Sequence, residues 1–187
     1  MLAIVARGQG AQTPGFLNPW LEIPEFAEGL SSLSEATGLD LVELGTTADA
    51  EDTAVAQPLL MGAGLYAGLA LNTESEHGAF ALADVVAGHS VGEITAAAGV
   101  GVLDHAQAAV FIRERGRGMA AASAAHATGM AAVIAGKPDE VLAAIRDAGL
   151  TAANYNGRGQ IVASGSLENI ARLRANPPAR ARVIPLK

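Results

Sequence analysis

The sequence contains no cysteine, and this absence excludes disulfide bonds, cysteine–zinc sites and thiol catalysis. It has only 12 lysines and arginines against 19 aspartates and glutamates. The net charge of −7 argues against a broad nucleic-acid-binding surface. The longest apolar run, residues 59–71, is too short to span a bilayer and predicts a buried helix. The first ten residues do not form a signal peptide pattern. We therefore expect a cytoplasmic protein that binds neither nucleic acid nor membrane.

The amino-terminal two thirds have the pattern of an α/β layered core. Two short apolar runs, 2–6 and 83–88, are typical of buried parallel strands. Helices are predicted over 53–72 and over 104–123, the second with Asp104 as its N-cap. Alternation of buried strands with helices predicts a parallel sheet covered by helices.

The pattern changes near Gly129. Strand, helix, two strands joined by a glycine-rich turn, helix and strand follow in that order, which is the β-α-β-β-α-β order of ferredoxin-like folds. The predicted domains are an α/β core over 1–128 and a ferredoxin-like α+β subdomain over 129–187.

A serine flanked by glycines stands where the second apolar strand gives way to a helix. Residues 88–92, Gly-His-Ser-Val-Gly, match the G-x-S-x-G nucleophile elbow. A sharp strand-to-helix turn strains the serine backbone and leaves no room for side chains two residues away. It also exposes the hydroxyl beside the N–H groups that open the helix, where an oxyanion is stabilised. On the pattern alone, a tight turn with Ser90 as an ordinary N-cap is an equal alternative.

A second glycine loop, residues 8–12, follows the first strand. It is not a dinucleotide fingerprint, because Thr13 stands where the third glycine is required. The loop is either a flexible turn or a second source of N–H donors beside the serine.

Four motifs occur in chain order: Gly8-Gln9-Gly10-Ala11-Gln12, Gly88-His89-Ser90-Val91-Gly92-Glu93, Arg115-Gly116-x-x-Met119 and Asn154-x-Asn156-Gly157-x-Gly159-Gln160-x-Val162-x-Ser164-Gly165. Together they resemble the malonyl-CoA:acyl carrier protein transacylases of fatty acid synthesis, and acyltransferase domains of polyketide synthases share the first three. The resemblance covers essentially the whole chain. It implies an α/β-hydrolase-like core with a ferredoxin-like insert.

The resemblance also implies a reaction and roles for named residues. Ser90 is expected to take malonyl from malonyl-CoA as an ester and pass it to the phosphopantetheine thiol of acyl carrier protein. Gln9 and Val91 match the positions whose backbone N–H groups form the oxyanion hole. Asn154 and Asn156 are candidates to line the acyl or CoA cleft, although turn formation explains Asn156 better. No metal or redox cofactor is implied.

Arg115 matches the arginine that binds the free malonyl carboxylate. A fixed guanidinium holds a carboxylate bidentately, and with acetyl bound that charge stays unpaired. The alternative is a solvated helix end, which we prefer for Arg113 and Arg117. Glycines at 116 and 118 weaken a helix and suggest close backbone approach. Gln57 is either a brace for the arginine or a buried residue of the helix start.

The general base has no clear candidate. In the family a strand like residues 182–187 leads into a segment that carries the catalytic histidine, so we expect the base outside this chain and poor activity from the chain alone. The four histidines, each interpreted as structural or solvated, are His77, His89, His105 and His126. A sheet that lacks strands is also expected to expose an apolar edge.

Two other classes of function compete with acyl transfer. A serine hydrolase or thioesterase shares the elbow but has no need of Arg115. A non-catalytic fragment that only binds CoA or carrier protein needs no nucleophile. Because carrier proteins are acidic, docking requires a basic patch, for which the candidates are Arg113, Arg117, Arg172 and Arg174.

Overall fold

The computed structural model describes residues 1–10, 12–47, 52–157 and 159–186. Ala11 of the first glycine loop and Lys187 at the end of the last predicted strand lie outside the described residues. The chain forms two compact units, Met1–Ala121 and Ala122–Lys187. The sequence pattern places the domain boundary slightly later, between residues 128 and 129.

In the residues that the structure describes, the first unit combines a small parallel sheet with six helices, the last of which continues for four residues past Ala121. Strand β1 (Ala3–Ala6) pairs in parallel with β2 (Val85–Gly88), and Ala6 lies opposite Gly88 at the carboxyl ends. The helices are α1 (Asn18–Leu21), α2 (Pro24–Thr37), α3 (Leu41–Thr46), α4 (Thr53–Ala70), α5 (Val91–Gly99) and α6 (His105–Ala125), with a 3₁₀ turn over Gly78–Leu82.

Helix α4 is the centre of this unit. Its apolar side chains are buried around most of its circumference and pack with those of α2 and α5. Gly62 brings α4 close to α2, because a Cβ at residue 62 would lie 2.5 Å from Leu33. Of the described helices, α4 alone is long and apolar enough to cross a membrane, and half of it is buried inside the unit.

The two strands are less buried than the sequence predicts. Val5 is 72% exposed and Val85 is 50% exposed, whereas Ile4 and Val86 pack against the core. Side chains alternate between the faces of a strand, and in this unit the described helices cover one face of the sheet. Continuous burial of these strands is therefore not seen within the described residues.

The second unit is an antiparallel sheet with two helices. Its elements are β3 (Thr128–Ala135), α7 (Pro138–Asp147), β4 (Thr151–Tyr155), β5 (Gln160–Ser166), α8 (Leu167–Ala175) and β6 (Ala181–Leu186). The strand order is β4-β5-β3-β6, with every neighbouring pair antiparallel. This agrees with the predicted element order. The apolar sides of α7 and α8, such as Ile145 and Leu173, form one core with Val133 of the sheet.

The glycines around the serine allow a direct test of the turn. A Cβ at Gly88 would lie 2.1 Å from the carbonyl oxygen of Gly92, so Gly88→Ala is expected to lower the free energy of unfolding by about 3 kcal/mol or more. The control is Gly118→Ala in α6, where an added Cβ meets nothing within 4 Å. This substitution is expected to raise the free energy of unfolding by up to about 1 kcal/mol, because alanine favours a helix more than glycine does. Urea unfolding measures both, and equal effects would contradict the tight turn.

Candidate active site

Ser90 occupies a strained turn between β2 and α5. Its backbone dihedrals are φ 58° and ψ −117°, a region that residues other than glycine rarely adopt. Close packing holds this conformation, because a Cβ at Gly92 would lie 2.2 Å from the carbonyl oxygen of Ala6. The elbow geometry predicted from the sequence is therefore present. Glu93 adds support, since its side chain accepts a hydrogen bond from the Ser90 N–H at 3.2 Å.

The first glycine loop lies against this elbow. The His89 N–H donates to the carbonyl oxygen of Ala6 at 3.1 Å, and a Cβ at Gly8 would lie 3.7 Å from Cβ of Ser90. Within the described ranges, the backbone N–H groups of Gln9 and Val91 donate no hydrogen bond to another residue. Two free donors, one from each loop, thus belong to segments that meet beside the serine.

A chain of side-chain hydrogen bonds links the serine to the first loop. Arg115, on α6, donates from Nη2 to Oγ of Ser90 at 2.9 Å and from Nη1 to Oε1 of Gln57. Nε2 of Gln57 donates to Oε1 of Gln9 at 2.8 Å. Four side chains from four segments of the first unit are joined in this way.

Gln57 braces the arginine, which decides between the two interpretations of this residue. Helix α4 is capped by Asp52, whose side chain accepts from the Ala54 N–H at 2.8 Å, so Gln57 is not needed to start the helix. It lies one turn further on, is 1% exposed, and has both ends of its amide paired.

The two glycines beside Arg115 differ in what surrounds them. A Cβ at Gly116 would lie 3.2 Å from both Cα and the carbonyl oxygen of Ala54, so this glycine allows α6 to approach the start of α4. The carbonyl oxygen of Ala54 accepts no α-helical hydrogen bond from residue 58, because residue 58 is proline and has no N–H. Around Gly118 the described residues leave open space, so the close approach expected there is not seen.

Of the neighbouring arginines, Arg117 is solvated as expected, whereas Arg113 is partly buried, with 30% of its side chain exposed. Arg113 pairs with Glu114 at 2.9 Å and donates to the carbonyl oxygen of Ala36 at 3.2 Å. Arg117 reaches the same Glu114 oxygen at 3.4 Å, with 62% of its side chain exposed. Arg115 therefore differs from both in pointing to the serine.

In the described part of the chain, no histidine hydrogen-bonds to Ser90. His77 lies 3.7 Å from a carboxylate oxygen of Glu76, and His126 is exposed. The ring of His105 packs edge-on against Tyr66 with centroids 5.9 Å apart; burial raises the pKa of this tyrosine. The Nδ1 atom of His89 lies beside Gly8. Only Arg115 contacts the hydroxyl among the described side chains.

Asn154 and Asn156 both belong to the second unit. Asn154 lies on β4 opposite Val162, next to a register irregularity. The Asn156 N–H donates to the carbonyl oxygen of Gln160 at 3.0 Å, and Gly157 follows with φ 72°, so Asn156 opens a turn. A role for either residue in an acyl or CoA cleft stays a prediction.

A serine at a strained junction between a parallel strand and a helix, with glycines two residues before and after it, is the mark of the nucleophile-elbow class of α/β proteins. Within that class, the chain belongs to the acyl transferase domain family, whose model matches residues 5–184.

Named relatives agree with this assignment. The malonyl CoA-acyl carrier protein transacylase of Mycobacterium tuberculosis (strain ATCC 25618 / H37Rv) is 47% identical over 187 residues, which cover 98% of this chain and 61% of the relative. The crystal structure of MCAT from the same species superposes with a TM-score of 0.88 at 45% identity, over 100% of this chain and 62% of that one. An acyl-carrier-protein S-malonyltransferase from Burkholderia pseudomallei 1710b gives 0.85 at 29% identity, over 99% and 62%. The predicted fold class, a parallel-sheet core with an antiparallel α+β unit, is confirmed by these structures. The chain spans about 61% of the length of the curated relatives it matches.

Proposed function

We propose that this protein moves a malonyl group from malonyl-CoA to the phosphopantetheine thiol of acyl carrier protein through a malonyl-Ser90 ester. The observation that carries the proposal is the half-buried guanidinium of Arg115, 2.9 Å from the Ser90 hydroxyl. A carboxylate-bearing acyl group is the substrate that a cation next to the nucleophile selects. The names of the similar proteins, malonyl CoA-acyl carrier protein transacylase among them, support the same substrates.

The first half-reaction forms the ester. Oγ of Ser90 attacks the thioester carbonyl while a base takes the hydroxyl proton. The tetrahedral intermediate then collapses as the base gives that proton to the sulfur of CoA, which leaves as the thiol. The N–H groups of Gln9 and Val91 are proposed to donate to the oxyanion; loss of one such donor costs about 10²–10³ in rate. Arg115 releases Oγ and pairs with the malonyl carboxylate.

The second half-reaction reverses these steps with another thiol. The phosphopantetheine thiol attacks the malonyl-Ser90 carbonyl and gives up its proton to the base, and Ser90 leaves as the hydroxyl. Group transfer of this kind requires no redox or metal cofactor. A cytoplasmic location accords with both substrates.

The general base is not assigned to any histidine of this chain. Each of the four histidines in the chain has another environment, with Glu76, Gly8, Tyr66 or solvent as its neighbour. Docking of an acidic carrier protein on the exposed arginines also stays a prediction. Two of these candidates, Arg113 and Arg117, already pair with Glu114.

Transfer to a thiol distinguishes this proposal from a hydrolase. The protein, expressed at the full length of its reading frame, is mixed with malonyl-CoA and phosphopantetheinylated acyl carrier protein. Mass spectrometry of the carrier protein and assay of free malonate give the partition between transfer and hydrolysis. We expect malonyl-carrier protein to form at least about tenfold faster than malonate, a difference of ~1.4 kcal/mol in barrier. Predominant malonate would indicate a thioesterase, and binding of CoA without either product would indicate a non-catalytic module.

A further inference from the structure

Gln57 connects two parts of the proposed machinery that have different tasks. On one side it accepts from Arg115, the residue proposed to bind the acyl carboxylate. On the other it donates to the side chain of Gln9 at 2.8 Å, and the backbone N–H of the same Gln9 is a proposed oxyanion donor. No role in either task follows from the family motifs quoted above.

The orientation of this amide is fixed by chemistry. A guanidinium has donors only, so the group of Gln57 that faces Arg115 must be the carbonyl oxygen. The amide nitrogen is then left for Gln9, whose oxygen accepts from it. A rotation of the Gln57 amide by half a turn would oppose donor to donor at Arg115, so Arg115 alone fixes the orientation. Since Gln57 is 1% exposed, both groups of its amide need protein partners, and the nitrogen is the group that faces Gln9.

The backbone around Gln57 is as constrained as its side chain. The residue lies on the central helix α4, one turn after the Asp52 cap and just before Pro58. Gly116 sets the distance between α4 and the helix that carries Arg115. The amide is thus a rigid reference point, whereas Arg115 and Gln9 reach it through flexible side chains.

We propose that Gln57 is a positioning residue that couples carboxylate binding by Arg115 to the first glycine loop, residues 8–12, through the side chain of Gln9. This inference rests on the proposed function. The two hydrogen bonds of the Gln57 amide join protein atoms alone, so Gln57, held in turn by the Gln9 side chain, positions Arg115 before a carboxylate binds to it. An acyl group without a carboxylate gains nothing from this positioning. Selection of malonyl over acetyl therefore depends on Gln57 and on the side chain of Gln9.

The test is a double-mutant cycle on acyl selection. Methionine matches glutamine in length and flexibility and removes both hydrogen-bonding groups, so the variants are Gln57→Met, Gln9→Met and the double variant. Each is expressed at the full length of its reading frame. Single-turnover release of CoA gives the ratio of malonyl to acetyl rate constants, and KM and kcat are measured for malonyl-CoA. Gln9→Met keeps its backbone N–H, so any change in its ratio reports the side chain.

We expect Gln57→Met to lower the malonyl-to-acetyl ratio at least about tenfold, the usual scale for a hydrogen bond to a charged group. Gln9→Met is expected to lower the ratio by a smaller factor, with no additional loss in the double variant. The control is Thr95→Val, which removes another buried hydrogen bond of the same unit, from Thr95 Oγ1 to the Met61 carbonyl at 3.4 Å. It is expected to change the melting temperature and leave the ratio unaltered.

The outcomes separate this inference from the proposed function. If the unmodified protein forms no malonyl adduct, the proposed function fails before any variant is compared. If it forms the adduct but Gln57→Met keeps the ratio, or if the two single effects add, the coupling is refuted. An equal loss of ratio in Thr95→Val would show that general loosening of the unit is the cause, which also refutes it.

Discussion

Ser90→Ala is expected to lower the rate of malonyl transfer at least about 10⁴-fold, because the ester intermediate can no longer form. The fold is expected to survive. Alanine is smaller than serine, and the turn is held by the packing of Gly88 and Gly92 against neighbouring backbone. The positive φ of residue 90 suits alanine no better and no worse than serine. Steady-state transfer to carrier protein, with circular dichroism as a check on folding, measures the effect.

Ser166→Ala is the matched control for this variant. Ser166 also precedes a helix, α8, where its hydroxyl accepts from the Asn169 N–H at 3.1 Å. Loss of that cap should cost about 1 kcal/mol of stability and leave the transfer rate within about twofold, since a surface cap of this size is a minor perturbation. Transfer that persists in Ser90→Ala would assign the nucleophile elsewhere and remove the basis of the proposed mechanism.

Arg115→Ala is expected to reduce acylation by malonyl-CoA about 10²–10³-fold and to leave acylation by acetyl-CoA nearly unchanged. The variant removes the guanidinium that would bind the malonyl carboxylate bidentately, and hydrogen bonds to charged groups contribute about 1.5–3 kcal/mol each. Arg115→Lys keeps the positive charge but cannot bind a carboxylate bidentately, so an intermediate effect on acylation is expected. Burst kinetics of CoA release with the two thioesters, measured separately, give the ratio.

Arg117→Ala controls for the change of charge on helix α6. Arg117 lies two residues further on, with its side chain 62% exposed, and contacts Glu114. Exposed pairs contribute at most about 1 kcal/mol, and the malonyl-to-acetyl ratio should not change. A similar fall in the acylation rate with malonyl-CoA and with acetyl-CoA in Arg115→Ala would mean that this arginine positions Ser90 and does not select the acyl group.

Local rules of sequence predict much of the elbow. The spacing of glycines around Ser90 requires a turn too tight for side chains, and the structure places backbone atoms where those side chains would be. The end of the second unit is equally local: a capping serine at 166, an apolar helical face and short strands set the order of its elements. Such features depend on neighbours within a few residues, which is why sequence alone suffices.

Long-range contacts are harder to predict. The link from Gln57 to Gln9 joins residues 48 positions apart, and no local pattern specifies it. One signal was present: an amide in an apolar helix has to find partners when it is buried. Strand burial is hard to predict for a similar reason, because an apolar run such as residues 2–6 does not state how many faces of its sheet are covered. Gly118 shows that a glycine in a helix need not mark a contact.

The most direct measurement is the intact mass of the protein, at the full length of its reading frame, after brief mixing with malonyl-CoA or acetyl-CoA. We expect one malonyl adduct, mapped to Ser90 by peptide mass spectrometry, and much less acetyl adduct at equal thioester concentration. An adduct on another residue, or equal labelling by the two thioesters, would contradict the claim that Ser90 is the nucleophile and Arg115 the selector.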